Sequence, residues 1–239
     1  MLQFKKFAQQ NDIVFDEIET IEGDIRLYKT PYGEFPSMTS ILGTVLDDSK
    51  GLDQWRKRVG KAEAEKITKD ASDRGNSLHD LAERYLTNQL SRDQLSGSGK
   101  ILFNRIKRYL DEIDLVVGVE IPLYSKSKKF AGRTDAICMI KDDLYVIDHK
   151  NSRRPITLDK QFSRRKLHKY KTQVAGYAIA FEEMTTIAIT KGCLFVGNHL
   201  TSNASRFEFD LDVYKEEFML LLDCYYGYGD VKKSVYYSL

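Results

Sequence analysis

The stretch GRTDAICMIKDDLYVIDHKNSRRP, Gly132–Pro155, decides the reading of the fold. Two β-rich apolar runs flank a polar KDD, so it reads as an antiparallel hairpin turning at Lys141–Asp143. Asp135 stands at the head of the first run. Asp148 closes the second, and Lys150 follows two residues later. Burying a charge without a partner is expensive, so these charges need an explanation beyond folding. Folding the hairpin about Asp142 predicts Asp135 opposite His149, with Asp148 diagonally or directly beside it. Opposed residues have Cβ atoms roughly 5 Å apart, so the two carboxylates converge. Period-two alternation puts Asp148 and Lys150 on one face. His149 points the other way and stays outside the expected site.

Two carboxylates this close repel unless something positive lies between them. Hard divalent ions such as Mg²⁺ take one or two carboxylates, waters and phosphate oxygens. A nearby lysine can orient or deprotonate the attacking water, or neutralise charge developing on a phosphate. These are parts for metal-assisted phosphodiester hydrolysis.

Working outward, the segments LVVGVEIPLY, KFAGRTDAICMI and LYVIDHK are three strands. RRKLHKYKTQVAGYAIAFEEM is a helix, IAITKGCLFVG and SRFEFDL are further strands, and DVYKEEFMLLLDCYYGYGDV is a C-terminal helix. Upstream, VFDEIE and DIRLYKTPYGEF predict a short hairpin around Gly23. PSMTSILGTVL predicts a helix entered through Pro36, with Ser37 or Thr39 as its cap. The next forty residues have helical spacing, with breaks expected at Gly60 and Gly75. A second amphipathic helix, KILFNRIKRYLDEI, follows an SGSG loop. This order predicts an α/β fold, a mixed central sheet flanked by helices with an N-terminal helical region.

The chain has 239 residues, 42% hydrophobic and 30% charged, which suits one sizeable core with a helical annex. A net charge of +2 does not by itself announce a nucleic-acid binder. Cys138, Cys193 and Cys224 stand singly and suggest reduced thiols in the core. No signal-peptide pattern opens the chain and no apolar stretch is long enough for a bilayer, so a soluble, cytoplasmic protein is expected.

The positive charges are clustered. A basic block runs from Lys150 through Arg153, Arg154, Lys160, Arg164, Arg165, Lys166, Lys169 and Lys171, opposed only by Asp159. Because it starts at the expected metal site, it reads as a surface that tracks phosphates. His168 and Tyr170 are expected to stack on bases. Ser152 is placed to hydrogen-bond a phosphate. The hydroxyls of PSMTSIL, Ser37 and Thr39 among them, lie at a helix start, where phosphates bind well. Trp55, beside Arg56 and Arg58, is read as a core anchor, with DNA contact as the alternative.

The pattern Gly132-x-x-Asp135 followed by Asp148-x-Lys150 resembles the PD-(D/E)XK nuclease superfamily, and its RecB-like branch more closely. That branch commonly has G-x-x-D where the superfamily name has PD; Thr134 precedes the acid here. RGNSLHDLAERYL supplies His79 where the branch carries an upstream histidine, and QVAGYAIAF supplies Gln173 and Tyr177 as its Q-x-x-x-Y helix motif. From about Pro36 to the last helix, the chain is similar to the group that includes the mitochondrial genome maintenance exonuclease and related phage exonucleases. Without a transit peptide, it looks more like the phage or bacterial members.

The resemblance implies a restriction-endonuclease-like sheet in a single nuclease domain, with a hairpin and helical region at 1–113 and the catalytic core at 114–239. It implies a metal-dependent DNA exonuclease acting on single strands or free ends in replication, repair or recombination. Asp135, Asp148 and His79 would hold Mg²⁺ or Mn²⁺; imidazole suits Mn²⁺ better. Lys150 would position or activate water. Glu120 would be the first-motif glutamate, acting directly or through a bound water. Gln173 and Tyr177, i and i+4 on one helix face, would steady the lysine and the DNA backbone. A helical segment, LDKQFSRRKLHKY or the Trp55–Lys69 helices, would arch over the site. A structure-specific or double-strand endonuclease of the same superfamily, or a single-strand-binding module without catalysis, are the alternatives.

Overall fold

The computed structural model describes residues 5–6, 14–46 and 49–239. Most of the opening segment read for a leader therefore lies outside the described residues. The described chain is a mixed α/β arrangement. A six-stranded sheet runs in the order β1 (Lys5–Lys6), β5 (Leu115–Ser125), β6 (Phe130–Ile140), β7 (Asp143–Ser152), β8 (Lys191–Asn198), β9 (Ser205–Asp210). The β5–β6, β6–β7 and β8–β9 pairs are antiparallel, whereas β1–β5 and β7–β8 are parallel. A smaller antiparallel sheet holds β2 (Glu19–Ile21), β3 (Leu27–Thr30) and β4 (Gly33–Pro36). The expected hairpin around Gly23 is the antiparallel β2–β3 pair, and DIRLYKTPYGEF makes a second one between β3 and β4.

Among the described residues are six α-helices: α1 (Met38–Val45), α2 (Ser49–Val59), α3 (Lys61–Leu86), α4 (Lys100–Leu110), α5 (Gln161–Thr185) and α6 (Asp212–Tyr225). Ser37 caps α1 by accepting the Ser40 N–H at 2.9 Å. Gly60 breaks the helical run as expected, but Gly75 does not: α3 passes straight through it. Its missing Cβ has another use, because a Cβ there would lie 2.7 Å from the Asn151 amide on β7. Asn151 fills the space and donates to the Ala71 carbonyl at 3.1 Å.

Strand alternation divides the interior into two layers. Ile137, Val146, Leu194 and Val196 face α1, α5 and α6, where Met38, Val174, Ala178, Phe181 and Phe218 pack. Ala136, Cys138, Tyr145, Ile147, Cys193 and Phe195 face α3 and α4, against Leu78, Leu81, Phe103 and Ile106. Full burial of one such side chain favours the fold by about 1.5–3 kcal/mol. Small residues in α5 let the upper layer close, since a Cβ at Gly176 would be 2.7 Å from the Phe218 ring. Cys138 and Cys193 are buried thiols, and burial pushes Cys193 up to about 12. Trp55 is only half-buried on the largely exposed α2, which packs against α3. No helix among the described residues is long and apolar enough to cross a membrane.

Candidate metal and phosphate site

The hairpin turns one residue tighter than expected. Ile140 pairs with Asp143 and Ala136 with Ile147. Continued by one residue, that register would set Asp135 across from Asp148, but the ladder ends before them. The β6–β7 ladder then stops, while β7 continues in parallel with β8 through Ser152. Where the two strands part, the Asp135 carboxylate takes over the role of a backbone acceptor. Its Oδ2 receives the His149 N–H at 2.5 Å.

On the other side of Asp135, Glu120 falls between the Val119↔Ala136 and Ile121↔Thr134 pairs. Its φ is +50°, a left-handed conformation that costs a non-glycine residue energy. Arg133 secures this backbone, donating from Nη1 to the Glu120 carbonyl at 2.9 Å. Three adjacent strands therefore present three carboxylates, Glu120, Asp135 and Asp148, to one cleft of about 360 Å³. The cleft is also lined by Ser37, Thr39, His79, Lys150, Gln173 and Tyr177, so the motif residues from distant segments meet there. Gly132 keeps this wall thin, because a Cβ on it would sit 2.9 Å from the Tyr177 ring.

The charges in the cleft interlock. His79 Nδ1 lies 3.1 Å from Asp135 Oδ1. The Asp135 charge raises the His79 imidazole to about 9 against the opposing effect of burial. Burial would push Asp135 up, but His79, His149 and Lys150 outweigh it and hold that carboxyl well below its usual range. Burial raises Asp148 to about 6, with Lys150 pulling back and Asp135 adding to the rise. Lys150 Nζ is 2.7 Å from Asp148 Oδ2 and donates to Oδ1 at 2.8 Å. Burial acts against its charge, but Asp148 and Asp135 keep Lys150 an ammonium. Its Nζ also lies 5.1 Å from the Tyr170 ring centre. Burial, then Asp135, lifts Glu120 to about 7. Gln173 donates to the Tyr177 hydroxyl at 2.8 Å. Burial and the two aspartates keep that phenol protonated.

The donor set suits a hard divalent cation. Asp148 Oδ2 is shut from solvent, with the Lys150 ammonium 2.7 Å away. Asp135 carries a charge that only positive neighbours sustain, and His79 gives one nitrogen from a third direction. These are the ligand types of Mg²⁺ or Mn²⁺ sites. His149 enters as well: its Nδ1 lies 3.5 Å from Asp135 Oδ2. Together with His79 and Asp135 it forms a group whose ligand atoms lie within 4.8 Å of one another. Burial lowers its imidazole to about 4, which leaves it neutral. Strict alternation excluded His149, and the parting of the strands brought it back.

The basic block is dispersed. Ser152 is buried and 3.5 Å from Lys166 Nζ, and Lys166 also lies over the Tyr170 ring that Lys150 faces. Arg164 donates to the Leu158 and Leu239 carbonyls, and Arg165 lies over the Tyr236 ring. Both are directed at the C-terminal segment rather than at the cleft. Arg153 and Arg154 are exposed just beyond β7. Lys169 is partly buried in α5 and lines no part of the cleft. His168, expected among the base-stacking residues, is buried 3.3 Å from Glu217. The structure adds Arg26, Asn76 and Arg133 to the cleft wall. Isolated polar residues in a helix, loop or strand carry no sequence signal for this.

No family model matches the chain, and no curated protein matches it. A solved structure described as "Crystal structure of SSO0001" is similar at a TM-score of 0.34 and 16% identity, covering 71% of this chain and 70% of that one. A likeness that loose carries no argument about fold or chemistry.

Proposed function

We propose that the chain is a metal-dependent deoxyribonuclease, an exonuclease hydrolysing phosphodiester bonds in single-stranded DNA or at free ends. Such an enzyme would serve DNA replication, repair or recombination in the cytoplasm of a bacterial or phage-infected cell. One observation carries the reading: Glu120, Asp135, Asp148 and Lys150, from three consecutive strands, line one cleft with His79 from α3.

Asp135, Asp148 and His79 would hold Mg²⁺ or Mn²⁺. When bound, the ion would polarise a phosphate oxygen and acidify a water at neutral pH. The protein's own groups divide the remaining work. Lys150, held as an ammonium, donates to a non-bridging phosphate oxygen and offsets charge gathering there. It acts as a donor, not as a base. Glu120, near 7, exchanges a proton in the range where general bases work well. Gln173 orients the Tyr177 hydroxyl, which keeps its proton and can donate to the strand. Ser37 and Thr39, at the start of α1, offer further donors to a neighbouring phosphate.

The test is a time course on end-labelled linear single-stranded, blunt duplex and circular single-stranded DNA, in Mg²⁺, in Mn²⁺ and with chelator. The reading expects loss of linear strands from an end, intact circles and no cleavage with chelator. Cut circles would mean an endonuclease, and binding without cleavage in either metal would mean a binding module.

A further inference from the structure

Outside the cleft, Arg74 and Arg105 both act on the charge of His199, and no acid does, so basic side chains from three elements share one neighbourhood. Arg74 lies on α3, Arg105 on α4 and His199 just past β8; all three are half-buried. Arg74 Nε, Arg105 Nη1 and His199 Nε2 are each closed to solvent without a hydrogen-bond partner. Among the described residues, no carboxylate lies within ion-pair distance of any of the three. A buried donor without an acceptor costs about 1–3 kcal/mol, more when charged. Two guanidinium charges beside an imidazole, each with an orphaned nitrogen, are a standing cost to the fold unless an anion meets them. From the geometry we infer that Arg74, Arg105 and His199 form a binding site for a phosphate group.

The surroundings hold the three residues in place. Asn198 is almost fully buried and organises the loop that carries His199, accepting the N–H groups of Leu200 and Thr201 and donating to the Asn203 carbonyl. Leu102, one turn before Arg105, packs onto Gly197; a Cβ there would be 3.1 Å from the leucine Cβ. Arg74 adjoins Gly75, where α3 closes on Asn151 of β7. Helix, helix and loop are therefore all pinned to the ends of the parallel β7–β8 pair. Burial, then Arg74 and Arg105, lower the His199 imidazole, the direction expected of a ring among uncompensated cations.

The place also suggests what carries the phosphate. Asp148 pairs with Leu194, and His199 follows Leu194 by five residues. Its Cα is therefore at most about 18 Å from that of Leu194. A strand held at Asp148 and Lys150 can reach the cluster within a few nucleotides. This assignment of the occupant rests on the nuclease reading; the site itself does not.

The test is an NMR titration of full-length, metal-free protein in chelator, following the four histidine rings, with His199 assigned through His199→Asn. Inorganic phosphate and a single-stranded oligonucleotide are added in separate arms. Phosphate, the oligonucleotide or both are expected to shift His199. Arg105→Gln and Arg74→Gln should each weaken that response by about tenfold, the loss of one charged hydrogen bond. Arg105→Lys, which keeps the charge, should retain more of it, with thermal melts confirming that each variant is folded. Response to phosphate alone supports the site with a free oxyanion as occupant. Response to the oligonucleotide supports it with the strand as occupant. A His199 ring unmoved in both arms, or a response as strong in both glutamine variants, overturns the site. Absent DNA cleavage with a responsive His199 ends the nuclease reading and leaves the site standing.

Discussion

Nδ1 of His79 lies 3.1 Å from Oδ1 of Asp135, and this contact joins α3 to the strand that carries the cleft's central acid. The imidazole rises from 6.5 to about 9 because of it. A group raised on folding contributes stability that is whole below its unfolded value and is lost as pH climbs through the folded one. In metal-free protein, wild type should therefore exceed His79→Gln in stability at pH 6 by on the order of 1–2 kcal/mol after screening. The gap should shrink between pH 6.5 and about 9. Urea unfolding of both proteins at pH 6 and pH 10 measures it, and a gap independent of pH removes the pair.

The same pair opposes metal binding, because a ligand imidazole must be neutral. Binding of Mn²⁺ near pH 7 should release a proton and tighten as pH rises toward 9. Calorimetry in buffers of different ionisation enthalpy counts the proton. Binding without release would place the metal away from His79.

Glu120 is held in a left-handed backbone beside another carboxylate. Glu120→Gly should leave stability unchanged or raise it by about 1 kcal/mol, since glycine carries no such strain. It should nevertheless slow cleavage. Glu120→Gln should remove the pH dependence of the rate near 7. A glycine variant both less stable and fully active would make Glu120 a structural residue.

Arg164 and Arg165 face the C-terminal segment, whereas Lys166 shares the Tyr170 ring with Lys150. Replacing both arginines by alanine should lower the melting temperature yet leave the salt slope of DNA binding unchanged. Lys166→Ala should reduce that slope by about 0.7, one single-strand phosphate contact. The opposite pattern would return the arginines to the DNA surface.

Much of the site was legible because charges at the ends of apolar strands have few structural uses. Asp135, Asp148 and Lys150 are visible on those grounds. His79, Gln173 and Tyr177 became visible only through their order in the motif. The register was not legible, since a shift of one residue needs only a tighter turn. Gly75 shows the limit of local rules: its cost to a helix is outweighed by the approach of Asn151. The direction of the Arg164–Lys166 side chains depends on where the C-terminal segment packs. The cluster of Arg74, Arg105 and His199 had no signal at all, because only the tertiary fold brings three separate elements together.

The central claim is that Asp148 and its neighbours cut DNA rather than merely hold it. The most direct test measures cleavage and binding together, on end-labelled single strands in Mn²⁺, for wild type and Asp148→Asn. The account predicts steady end-directed cleavage by wild type, and loss of at least about a thousandfold in the variant with binding largely kept. Cleavage by Asp148→Asn at the wild-type rate, or no cleavage by wild type, would contradict it.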